Sequence, residues 1–152
     1  MLLSELTRKQ KLKFLDLAFH MAAVDGDPSI QEKRMLNEKL AEVGDNIIAE
    51  YSFSLSDNLE ETVEFFMNEN HRVRNIVYLN LIELLMIGGF YNTTEYFFLE
   101  DIRKALRISV EKRKQMIALM FDYKDLRDKA VRLCAKWLRW EFLSKKKGQL
   151  YI

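Results

Sequence analysis

Residues 18–36 read AFHMAAVDGDPSIQEKRML, and the order of residue types in this stretch decides the fold. Ala18, Met21 and Ala22 are spaced to lie along one face of a helix that also carries Phe14 and Leu15. Gly26 and Pro28 then stop that helix, because Pro lacks the backbone donor and glycine accepts turn geometry. Ser29-Ile30-Gln31-Glu32 is a capping box: the serine hydroxyl accepts from the third helical amide and the glutamate reaches back to the serine amide. Leu36, Leu40 and Val43 form the inward stripe of the new helix, and Gly44 ends it. The stretch is therefore a helix–turn–helix.

The same two signals, apolar spacing near 3.6 and caps, predict about seven helices along the chain. The first spans about Thr7 to Val24 and the second runs from Ser29 to Gly44. A third covers about Ser56 to Asn68 with Leu55, Leu59, Val63 and Phe66 on one face, and Asn46 to Phe53 has room for a short extra turn. A fourth carries Val73, Val77, Leu81 and Leu84 and stops at Gly88-Gly89. Asn92-Thr93-Thr94-Glu95 is a second capping box, opening a fifth helix with Leu99, Ile102 and Leu106 inward. Ser109 caps a sixth with Val110, Ile117, Met120 and Phe121 apolar. A seventh, about Leu126 to Ser144, carries Ala130, Leu133, Trp137 and Trp140 on one stripe. The expected fold class is all-α, a compact bundle without a useful strand pattern.

The two capping boxes are related. A shift of 63 residues carries Ser29 onto Asn92 and Glu32 onto Glu95, Gly26 onto Gly89 and Leu36 onto Leu99. It also carries Ala18, Met21 and Ala22 onto Leu81, Leu84 and Leu85, Val24 onto Ile87, and Val43 onto Leu106. Few of these pairs are identical, but each keeps its physical role, so an internally duplicated helix–turn–helix is expected. Repeat 1 covers about residues 7–44, repeat 2 about 71–107, and C-terminal helices fill 109–145.

With its Ala-rich helix, the Asp25-Gly26 turn and Glu32 seven residues after the aspartate, the stretch resembles the TerB-like family, named for tellurite resistance. The second copy, residues 86–99 reading MIGGFYNTTEYFFL, matches at Gly89 and Glu95 and departs at Gly88, where the family often has an aspartate. The resemblance covers about Phe14 to Val110. It implies an all-helical fold with pseudo-twofold halves and acidic residues gathered near the two turns. It further implies a bacterial response to toxic oxyanions and other stresses, membrane-linked or multi-protein assemblies, and a divalent-cation role for the acidic cluster. Gly88 removes one candidate ligand from such a cluster.

Asp25, Asp27, Glu32 and Glu95 are the candidate metal ligands, since converging carboxylates suit Ca²⁺ or Mg²⁺. The loop is not an EF-hand, because Gly26 follows the first aspartate directly and no glutamate stands twelfth. The competing reading gives the same residues structural work: Glu32 and Glu95 as capping acids, Asp25 in an Asx turn, Asp27 at the positive end of a helix. His20 lies four residues after Asp16 on one helix face and aligns with Glu83 in the second copy, while His71 is expected at the surface. Cys134 is expected as a small buried hydrophobe. No Gly-rich phosphate loop, zinc-finger spacing or Gly-x-Ser-x-Gly motif occurs, so the residues point away from an enzyme and name no catalytic group.

The chain has 152 residues, of which 49% are hydrophobic and 31% charged, enough to close one core and too apolar for wholesale disorder. Five Gly and one Pro leave little for linkers, so a single domain over 1–152 is expected. Net charge is +1, which gives no reason to expect nucleic acid. The single Cys, the charged start after Met1-Leu2-Leu3 and the lack of a long apolar run lead to a cytoplasmic expectation. Charge is uneven: twelve Asp/Glu against three Lys/Arg between Asp25 and Glu69, and eight Lys/Arg against two Asp/Glu from Leu126 to Ile152. Two segments carry partner expectations. Tyr96-Phe97-Phe98-Leu99 cannot all face one core at about 100° per residue, so the helix is either buried on several sides, the favoured reading, or part of an oligomer interface. Trp137, Trp140 and Phe142 with Lys136, Arg139 and Lys145 to Lys147 suit either a closing helix or peripheral contact with a membrane. The function expected is that of a non-catalytic helical module acting through protein–protein contacts or self-association.

Overall fold

The computed structural model describes residues 1–24, 26, 30–44, 46–47, 58–87 and 93–135, with the backbone alone at 31–33 and 87. Among these, every regular element is helical and none is a strand. After a 3-10 turn at Leu3–Glu5 come α1 (Arg8–Ala23), α2 (Ile30–Val43), α3 (Leu59–Met67), α4 (His71–Ile87), α5 (Thr93–Ala105) and α6 (Val110–Cys134). The chain divides into two compact units, Met1–Met120 and Phe121–Ile152. No helix among the described residues is long and apolar enough to cross a membrane.

In the first unit α1 and α4 are the central helices, each packing on the other and on α2, α3 and α5. The sequence explains why. Thr7 caps α1 through a reciprocal box with Gln10: the Gln10 amide donates to Thr7 Oγ1 at 3.2 Å and the Thr7 amide to Gln10 Oε1 at 2.8 Å. Phe14, Leu15, Leu17, Ala18, Met21 and Ala22 are all buried, a stripe wide enough to face several neighbours. On α4 every residue from Ile76 to Met86 is buried, so this helix has no solvent face along that length. Phe66 of α3, Leu99 and Ile102 of α5 and Met120 complete the core.

Helix ends are fixed by local chemistry. Gly44, at φ +102°, stops α2 in a conformation that side chains rarely adopt. At the end of α5, Arg107 takes φ +57° and the chain closes a Schellman motif, Ile108 N–H donating to Arg103 O and Arg107 N–H to Lys104 O, both 3.1 Å. Arg74 donates to Leu106 O at 3.2 Å and Arg103 to Ile108 O at 2.8 Å, supplying donors to carbonyls at this helix end.

Several expectations are corrected. The sixth and seventh segments are continuous through 122–126 as part of α6. Nothing in Asp122-Tyr123-Lys124-Asp125-Leu126 breaks a helix; a polar run in a solvated stretch costs only weak propensity. Ala130 and Leu133, expected on one packing stripe, and Cys134, expected to be buried, are exposed, as are the apolar Val110 and Phe121. Tyr96 and Phe97 are also exposed, at 47% and 59%, instead of lying within a helix buried on several sides. Of the short turn expected after Gly44, Asn46 and Ile47 are helical; the rest of that span lies outside the described residues.

Candidate functional site

Asp25 and Asp27 lie outside the described residues, and Glu32 is seen only as a backbone position in the first turn of α2. Glu95 stands in the first turn of α5 and is wholly buried. Among the described residues no group of three or more His, Cys, Asp or Glu is arranged to hold a metal ion. His20 is half-buried on α1, and its Nε2 is enclosed without a hydrogen-bond partner. Trp137, Trp140, Phe142 and the Lys145 to Lys147 run also lie outside the described residues.

The structure assembles a different polar site, between α2, α4 and the first residues of the chain. Lys39 enters from α2 and Asn80 and Glu83 from α4, with exposures of 2%, 0% and 3%. Lys39 Nζ is ion-paired to Glu83, donates to Asn80 Oδ1 at 2.7 Å and reaches Glu42 Oε2 at 3.3 Å. The Met1 nitrogen lies 2.8 Å from Asn80 Oδ1, 2.8 Å from Glu42 Oε1 and 3.4 Å from Glu83 Oε2. Asn80 Nδ2 donates to the carbonyls of Met1 and Ile76 at 2.7 and 2.8 Å. Two carboxylates thus face two nitrogen donors around one amide, which is what a buried polar group needs to avoid an unmet desolvation cost. Burial pushes the Glu42 carboxyl up, but the hydrogen bond from Met1 and the charge of Lys39 outweigh it and hold the group below its ordinary range. The cluster ties Leu3–Glu5 to α2, since Leu3 N–H donates to Glu42 Oε1 at 3.3 Å.

A second charged group sits between α5 and the start of α6. Glu100 accepts from Arg103 Nε at 3.2 and 3.1 Å on its two oxygens and is ion-paired to Arg113. Desolvation raises its carboxyl, and the two arginines more than reverse that, holding it below its ordinary range. The Tyr78 ring is fully buried with its hydroxyl unpartnered, and burial, reinforced by the Glu100 charge, pushes the phenol well above its ordinary value.

No family model, curated protein or solved structure matches this chain. Its reading therefore rests on its own chemistry. Lys39 is saturated by two carboxylates and an amide, and the cluster holds α2 against α4. A surface groove of about 520 Å³ is lined by Arg8, Lys11, Gly44 and Asn46 over Val43 and Ile47. The polar cluster went unnoticed in the sequence, yet a signal was there: Lys39 is three and four residues from Leu36 and Val43 on the inward stripe, and Asn80 and Glu83 interrupt the apolar run of α4. A charge placed within an apolar helical stripe asks for a buried partner.

Proposed function

We propose that the chain is a TerB-like, non-catalytic module with a duplicated helix–turn–helix, serving a bacterial stress-response or assembly role through protein–protein contacts. The observation that carries the contact reading is where large apolar side chains meet solvent: Tyr96 and Phe97 on α5, and Leu126, Val131 and Leu133 on α6. Tyr96 and Phe97 are adjacent and edge-to-face, with centroids 5.8 Å apart, a grouped aromatic surface of the kind interfaces favour.

The duplication has its own support. A shift of 63 carries Arg8–Ala23 onto residues 71–86, against His71–Ile87 for α4, and Ile30–Val43 onto 93–106, against Thr93–Ala105 for α5. Gly44 falls on Arg107, and both take positive φ. Ala18, Met21, Ala22, Leu36 and Val43 are buried, as are their counterparts Leu81, Leu84, Leu85, Leu99 and Leu106. Such agreement in helix bounds, terminating conformation and burial is what two copies of one supersecondary unit would retain after their sequences diverged.

A photo-crosslinking amino acid placed at Phe97 tests the contact reading inside the host cell. It is expected to yield a discrete adduct that the same group at exposed Glu111 does not give. Equal or no adducts at the two positions would remove the support.

A divalent-cation role at the two turns is the second reading, favoured by the complete burial of the Glu95 carboxylate in the first turn of α5. The leading reading expects calcium to leave the melting temperature of the chain unchanged. A bound ion at about a hundred times its dissociation constant would add about 2.7 kcal/mol. A calcium-dependent rise that Glu32→Gln abolishes would move the assignment to the cation, because glutamine keeps the capping geometry and loses the charge.

A further inference from the structure

We infer that the corner at the end of α5 and the start of α6, beside α4, binds a small tetrahedral oxyanion of the phosphate class, held by Arg74, Arg103 and Arg113 with the Tyr78 hydroxyl donating. The inference goes beyond the contact reading and uses none of its surfaces. Arg74 and Tyr78 stand about one helical turn apart on α4. Arg74 reaches the carbonyl of Leu106 at 3.2 Å, and Arg103 reaches the carbonyl of Ile108, two residues on, at 2.8 Å. Arg113, near the start of α6, is joined to Arg103 through Glu100, which pairs with both. The Tyr78 hydroxyl lies within the field of Glu100, Arg113 and Arg103. All of these groups belong to the first unit.

Charge and hydrogen bonding both call for an anion. Three guanidiniums stand with one carboxylate, and the side chains of Arg103, Arg113 and Glu100 are only 12%, 19% and 14% exposed. Arg74 is 8% exposed, and its partners are the Leu106 carbonyl and the His71 ring, so no carboxylate among the described residues answers it. A cation held that far from water is costly without a counter-charge. Two enclosed donors lie in the same group: neither the Arg74 Nε–H nor the Tyr78 O–H meets a hydrogen-bond partner. Orphans of this kind mark a place for water or an ion. Water would satisfy the donors and leave the charge excess as it stands; an oxyanion answers both. Donors arriving from α4, α5 and α6 suit a tetrahedral acceptor better than a planar one, and the guanidinium fork matches phosphate geometry. Arg113 is the most exposed of the group, so the ion enters past its side chain.

Titration calorimetry of the full chain with inorganic phosphate, at an ionic strength fixed with sodium chloride, tests this. One site with a dissociation constant below about 1 mM is expected, and about 10 mM phosphate should raise the melting temperature by about 3 °C. Tyr78→Phe should weaken phosphate at least about tenfold, since it removes one hydrogen bond to a charged group. Without phosphate the same variant should melt no lower than the parent, because it deletes an enclosed hydroxyl that no protein group meets. Arg113→Gln, on a side chain with some solvent contact, should keep the fold and weaken phosphate by a similar factor. Arg72→Gln, which removes an exposed cation paired to Glu5 on another face of α4, should leave phosphate binding unchanged. A parent that binds no phosphate would overturn the proposal, as would equal weakening by Arg72→Gln and Arg113→Gln. Phosphate binding that survives Tyr78→Phe intact would overturn it as well.

Discussion

Lys39→Ala is expected to lower the stability of the folded chain by about 3–5 kcal/mol, seen as a fall in the urea midpoint at unchanged slope. The cost comes less from losing an attraction than from leaving Glu83 as a buried carboxylate without its cation. Lys39 and Glu83 are both nearly inaccessible, so water cannot take over the solvation that the pair supplied. The Met1 nitrogen, 3.4 Å from Glu83, can offset part of this, which favours the lower half of the range. The charge-free double variant Lys39→Met with Glu83→Leu should recover most of the loss, because a buried ion pair and an apolar pair of similar volume are often close in stability. A double variant no better than Lys39→Ala would show that the two residues do not act as a pair.

Phe14→Ala is the second change expected to have a large effect, also about 3–5 kcal/mol. Phe14 is fully buried on α1, and α1 packs on α2, α3, α4 and α5, so the space left by the ring has walls on many sides and little freedom to collapse. Against a total stability of about 5–15 kcal/mol, this loss would leave a marginal fold. Phe97→Ala, on a ring that is 59% exposed, should change stability by less than about 0.5 kcal/mol. Similar losses from the two phenylalanines, measured by denaturant unfolding, would contradict the assignment of α1 to the centre of the unit.

Most of the helical architecture was legible because it depends on local rules. Thr7, Gly44 and the apolar spacing of Phe14 to Ala22 each act within a turn or two of chain, and helix bounds near 8, 23 and 43 follow from them. The continuity of α6 was harder to see, since Asp122 to Asp125 is polar all round and periodicity carries no signal where neither face is apolar. Exposure on α6 and α5 was misjudged for a related reason: periodicity identifies an apolar face but not what covers it, and Leu133 on its stripe meets solvent as Phe14 on its stripe does not. The Lys39 and Glu83 pair joins residues 44 apart in sequence, so neither helix alone announces the other. Of the four candidate metal ligands only Glu95 has a described side chain, and it is wholly buried.

The central claim is that the chain works through its surface while its buried charges hold the architecture. Growth of the host on tellurite tests it most directly, with the chromosomal copy deleted and variants supplied in its place. Deletion should lower tolerance, and the parent and Lys39→Met with Glu83→Leu should restore it. Phe97→Asp, folded to the same circular dichroism signal, should not. Full restoration by Phe97→Asp together with failure of a folded Lys39→Met, Glu83→Leu variant would contradict the claim and place the activity at the buried charges.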